Sequence, residues 1–168
     1  MAHWTASASA WLNRGIEAIV AFLMLVLVLD VWLGVADRYF LGWQLPWPEE
    51  FARYVMIWAA MLAVSSGISR REHIGLTALI STIPEGPRRI ILIAMDIVAF
   101  ALFFYVFWYG LGFMQSGASR RAMIFGSSMQ PYFAAIPVSA AICCIQVALV
   151  TVRDMGRYYE PGFQEEME

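Results

Sequence analysis

Few of the chain's charged side chains fall inside long apolar runs, and those few are where chemistry could be hidden. Those set more than two residues in from a run's end are Asp30, Arg53 and Asp96. A charge in such a run is costly unless it is paired or put to use. Asp30 lies six residues short of the end of the first run, about 9 Å deep at the helical rise, and Arg53 lies four residues into the second from the same side, about 6 Å deep. The matched depths predict a structural Asp30–Arg53 ion pair. Glu49 and Glu50 precede Arg53 by four and three residues, so both fall within reach of it on one helix face. One guanidinium cannot serve three carboxylates. Some of these acids must meet water, lipid headgroups or another chain. Asp96 lies near the depth of Ser65 and Ser66, where a serine hydroxyl or a partner's basic residue would hold it.

The missing residue types narrow the chemistry further. His3 and His73 are the only histidines and neither lies in an apolar run, which leaves no pair of axial haem ligands and no His-rich metal site. No serine or cysteine in a run has a histidine beside it, so a nucleophilic triad is not expected. Cys143 and Cys144 are adjacent, which is not redox CxxC spacing, and they read as small buried residues. There is no phosphate loop and no dinucleotide fingerprint. The expectation is neither an enzyme nor a cofactor carrier. A net charge of −2 without a basic face argues against nucleic acid as a partner.

The elements that carry these residues follow from composition. Apolar residues make up 61% of the 168 positions and charged residues 14%, against roughly 45–50% and about 25% in soluble domains. Lipid can cover that much apolar surface; a soluble core of this size cannot. About 20 mostly apolar residues cross a hydrocarbon core of about 30 Å, and four segments qualify: residues 16–36, 49–69, 90–113 and 132–152. The predicted fold is all-α, a polytopic membrane protein of four transmembrane helices. Residues 1–15 precede the transmembrane domain (16–159), and residues 160–168 form an acidic tail. Ala8-Ser9-Ala10 precedes the first apolar stretch rather than following it, so it does not read as a signal-peptide cleavage site.

Arginine placement sets the orientation. Arg14, Arg70, Arg71, Arg88, Arg89, Arg153 and Arg157 fall on one side, against Arg38, Arg120 and Arg121 on the other, with Arg53 just inside. Both termini are therefore expected in the cytoplasm. Tyr39, Phe40, Trp43 and Trp47 in the first outer loop suit the headgroup layer. Pro48 suits the first turn of the second helix, and Glu49 and Glu50 complement its positive dipole end. Small residues four apart mark close helix packing in lipid: Ala59, Ala63 and Gly67 on the second span, and Ala135, Ser139 and Cys143, then Ala140, Cys144 and Ala148, on the fourth. These two spans are expected to be the inner ones. The third carries Phe100, Phe103, Phe104, Tyr105, Phe107, Trp108 and Tyr109 around it, which fits lipid contact and a docking surface equally.

Residues 37–76 carry a recognisable pattern: Arg38-Tyr39-Phe40, then Leu45 to Arg53 as LPWPEEFAR, then Ile57-Trp58, then Arg70-Arg71-Glu72-His73-Ile74. It resembles the small membrane subunit of tripartite ATP-independent periplasmic (TRAP) transporters. Ser65-Ser66-Gly67 and Thr77 depart from what that family often has, a Gly-Ala and an acidic residue. The resemblance implies an inner-membrane scaffold bracing a large membrane subunit that holds the substrate and ion sites. A periplasmic substrate-binding protein completes the system, and a sodium gradient drives organic acid uptake. The motif marks Trp47, Glu49, Glu50, Arg53, Trp58 and His73 as candidate partner contacts, and the small-residue stripe on the second span adds Ala63. The residues agree: no internal repeat and no broken helix pair of the kind that builds midplane sites. The competing reading is a self-contained small multidrug exporter, a homodimer with Asp30 at its axis. Such exporters are typically shorter, and the Trp-Pro-Glu-Glu loop would have no explanation.

Overall fold

The computed structural model describes residues 2–70 and 84–154. Among them the secondary structure is helical, with no strand beyond one isolated bridge. Four helical stretches are long and apolar enough to cross a membrane, and each runs wider than its apolar core suggested: Trp4–Leu41, Pro48–Ser69, Gly86–Ser119 and Gln130–Asp154. His73 and the acidic tail lie outside the described residues.

The first helix, α1 (Ala2–Ala36), has 35 residues. At 1.5 Å per residue that is about 52 Å, well beyond the hydrocarbon thickness. It passes into a π-helical turn, Asp37–Leu41, that ends where Gly42 takes φ 66° and returns its N–H to the Asp37 carbonyl. Glycine adopts that left-handed conformation without a Cβ clash. The second helix, α2 (Pro48–Ser69), starts on Pro48 with Glu49 and Glu50 in its first turn, as the sequence predicts. The third, α3 (Glu85–Ser116), ends in a 3₁₀ turn at Gly117–Ser119. The last span is two helices, α4 (Gln130–Phe133) and α5 (Ala135–Asp154). Pro137 has no N–H for the Phe133 carbonyl, which accounts for the break at Ala134. The ladder resumes with Val138 N–H donating to the Ala134 carbonyl at 3.1 Å.

Helix α5 is the centre of the bundle and packs on α1, α2 and α3, while α1 and α2 also pair with each other. Ile68 of α2 joins Cys143 and Val147 of α5 in the buried core, with Ala99 and Phe103 of α3 against them. The expected inner spans, α2 and α5, bury the larger shares of their apolar stretches. On α5 the stripe Ala135, Ser139, Cys143 is buried throughout. Along the second α5 stripe burial falls away, from buried Ala140 through half-buried Cys144 to exposed Ala148. On α2 the stripe is corrected: Ala59 is buried, Ala63 is exposed and Gly67 lies between. A four-residue step overshoots the 3.6-residue turn by about 40°, and on α2 one such step takes Ala63 off the contact. The packed face is instead Val55, Ala59, Leu62, Ser65 and Ile68. On α3, Phe100, Phe104, Tyr105, Trp108 and Tyr109 face outward, while Gly110 meets Pro137 of α5.

Polar side chains fasten the end of the bundle that holds the N-terminus. Glu17 of α1 accepts hydrogen bonds from Asn13 Nδ2 and Ser66 Oγ, both at 3.0 Å, and pairs with the Arg70 guanidinium. Gln146 Nε2 donates to Ser9 Oγ at 2.7 Å, both side chains fully buried.

Candidate functional site

The opposite end gathers most of the residues singled out in the sequence, and three carboxylates organise it. The first is Asp37, which sequence reasoning passed over. Its Oδ1 accepts from Trp43 N–H at 2.7 Å and its Oδ2 from Leu45 N–H at 2.8 Å. The aromatic loop is thereby folded back over the helix end, with Gln44 at φ 54°. Asp37 followed five residues later by Gly42 was the available signal. An aspartate commonly caps nearby backbone N–H groups where the chain turns.

The second is Glu50, which is buried although it opens a helix beside the interface. Its Oε1 accepts from Tyr54 Oη at 2.8 Å and from Met123 N–H at 3.2 Å; its Oε2 accepts from Ile124 N–H at 2.9 Å. The α2 N-terminus is thus clamped to the loop between α3 and α4. That loop is a tight turn: Arg121 bridges Ser128, Ala122 N–H reaches the Ser127 carbonyl at 2.8 Å, and Gly126 sits at φ 60°. Tyr54 stacks on Tyr132 of α4 with ring centroids 3.6 Å apart, a second contact of α2 beside that loop. Held in this way, the loop presents Met123 (98% exposed), Ile124 and Phe125 outward.

The third is Asp30, and here the structure overturns the expected pairing. Arg53 is turned out of the packed face, its side chain 64% exposed, and its ion-pair contact is Glu49 at 4.0 Å. Glu49–Arg53 is thus the i,i+4 pair that the spacing allowed, and Glu50 is committed elsewhere. Equal depth does not imply equal azimuth, which is why the pairing failed. Asp30 is 6% exposed, and neither carboxylate oxygen has a hydrogen-bond partner among the described residues. It lines a cavity of about 810 Å³ between α1, the aromatic loop and the start of α2, together with Gly34, Asp37, Arg38, Gln44, Glu49 and Ala52.

The other candidates lie apart. Trp47 packs edge-on against Phe51, centroids 6.2 Å apart, at the entry to α2. Trp58 is half-buried further along, and Ala63 faces outward beyond it. Asp96 is buried near the other end and accepts from Thr151 Oγ1 of α5 at 3.2 Å, so a threonine on the fourth span takes the role expected of a serine on the second. Among the described residues, no three His, Cys, Asp or Glu side chains converge to hold a metal ion. What the arrangement does is structural: carboxylates fix two loops and one helix start into a defined surface at this end of the bundle.

The family model described as "Tripartite ATP-independent periplasmic transporters, DctQ component" matches residues 23–157. A Haemophilus influenzae protein named as a TRAP transporter small permease protein is 24% identical over 92 residues, which is 55% of this chain and 57% of that one. The sialic acid TRAP transporter permease protein SiaT of Haemophilus influenzae is 26% identical over 119 residues, 69% of this chain but 19% of that protein. The matches thus span just over half the length of the first relative and about a fifth of the second.

Proposed function

The chain belongs to the DctQ component family of TRAP transporters, and from that premise we propose that it is a scaffold bracing the large transport subunit during sodium-driven uptake of an organic acid. The family is one of transporters, and the chain is a multi-pass membrane protein whose kind associates with a large permease subunit. SiaT supports the pairing, since a stretch similar to this chain makes up a minor part of a longer permease. The sialic acid in that relative's name supports an organic acid as cargo here. The observation that carries the scaffold reading is how the carboxylates are used. Glu50, Asp37 and Glu17 are all committed to fastening loops and helices to one another. The arginine asymmetry supports an inner-membrane orientation with cytoplasmic termini. In that orientation Met123, Ile124 and Phe125 stand on the periplasmic side, where the substrate-binding protein docks.

The test is co-expression of this chain with a large permease subunit of a TRAP transporter, followed by gel filtration and uptake in proteoliposomes. A stable complex whose sodium-driven uptake requires both chains and the binding protein supports the proposal. A self-sufficient homodimer that exports cations would sink it.

A further inference from the structure

We infer that the Asp30 cavity is a socket for a cationic side chain, a guanidinium or ammonium, projected by the large transport subunit. The inference rests on the scaffold reading above and names the contact that would carry it. A carboxylate withdrawn from water must find a cation or stay destabilised. Asp30 is buried to more than nine-tenths with both oxygens unbonded among the described residues, and it lies on the wall of the cavity. The chain does not fill that space from its own cations. Arg53 is absent from the cavity wall and paired with Glu49. Arg38 is on the wall, in the π-helical turn beyond α1, but makes no hydrogen bond to either Asp30 oxygen.

Size and setting point to a side chain from another membrane helix. About 810 Å³ is ample for a long basic side chain. The walls beside Asp30 are Val31 and Val35, exposed on a helix that leaves most of its apolar surface uncovered. Covering those valines with a neighbouring helix would remove the remaining water and strengthen the pair.

The experiment uses the two-subunit complex. Formation of the wild-type complex tests the scaffold reading; the comparison of wild type with Asp30→Asn tests this one. The isosteric amide is expected to leave the melting temperature of the isolated small subunit unchanged or raised, because the uncompensated charge is gone. Affinity for the large subunit is expected to fall at least about tenfold, roughly 1.4 kcal/mol. Suppressors of Asp30→Arg should map to a basic residue of the large subunit. Unchanged affinity in Asp30→Asn overturns the inference. So does an equal loss of stability in the isolated subunit, since the carboxylate would then serve this chain's own fold. A lipid ammonium in the socket would also overturn it. Its signature is wild-type assembly that needs phosphatidylethanolamine in the nanodisc, with Asp30→Asn indifferent to that lipid.

Discussion

Glu49 and Glu50 are neighbours of the same type with opposite fates. Glu49 stands in solvent beside Arg53, while Glu50 takes three hydrogen bonds under the α3–α4 loop. Glu50→Ala is therefore expected to speed amide exchange at Met123 and Ile124 by about tenfold or more, with Glu49→Ala leaving both rates unchanged. Equal exchange in the two variants would show that the loop holds itself. Half of this clamp was legible in the sequence, because Tyr54 lies at i+4 from Glu50. The other half was not: Met123 is 73 residues away, and an amide donor is the same at every position. Asp30 was legible as a costly residue but not as an unpaired one. Residue spacing gives depth, whereas the direction a side chain faces depends on how the helix is rotated in the bundle.

Helix contacts are set by where a side chain is missing. A Cβ on Gly117 would meet Phe133 Cδ2 at 2.9 Å and the Gln130 backbone at 3.0 Å, while one on Gly112 would meet nothing within 4 Å. Gly117→Ala should cost about 1–3 kcal/mol, because the backbone on the far side cannot give way. Gly112→Ala should be neutral or gain up to about 1 kcal/mol from helix propensity. Thermal unfolding of the purified subunit in detergent measures both, and a harmless Gly117→Ala would mean the turn and α4 are not in contact. Existence and order of the spans could be read from apolar length alone. Their packed faces could be read only in part. Ala135, Ser139 and Cys143 on α5 fell on the contact, while the second α5 stripe left it by Ala148 and the stripe on α2 left it at Ala63. The break at Ala134 was readable from Pro137 and went unused.

For the whole molecule, arginine placement and the outward loop give one test of orientation. Gly126 would be a poor reporter, since its positive φ strains any other residue. Met123→Cys, on the exposed tip, should react with a membrane-impermeant maleimide from the periplasm in intact cells, and Gly86→Cys should not. Labelling at Gly86 alone would invert the molecule and place the Asp30 socket on the cytoplasmic side.

The hydrogen bond between Ser9 and Gln146 joins residues 137 positions apart, both sealed from solvent. This imposes a schedule on synthesis. When the first turns of α1 leave the ribosome, the Gln146 side chain that Ser9 is to meet has not been made, and it remains unmade until three further spans have been started. The amino-terminal turns must wait, exposed, for the last span to enter the membrane. A cysteine replacing Ser9 should accordingly be labelled in permeabilised membranes when translation is arrested before Gln146, and shielded in the finished chain. Equal labelling at both lengths would mean that the opening turns close by some other contact.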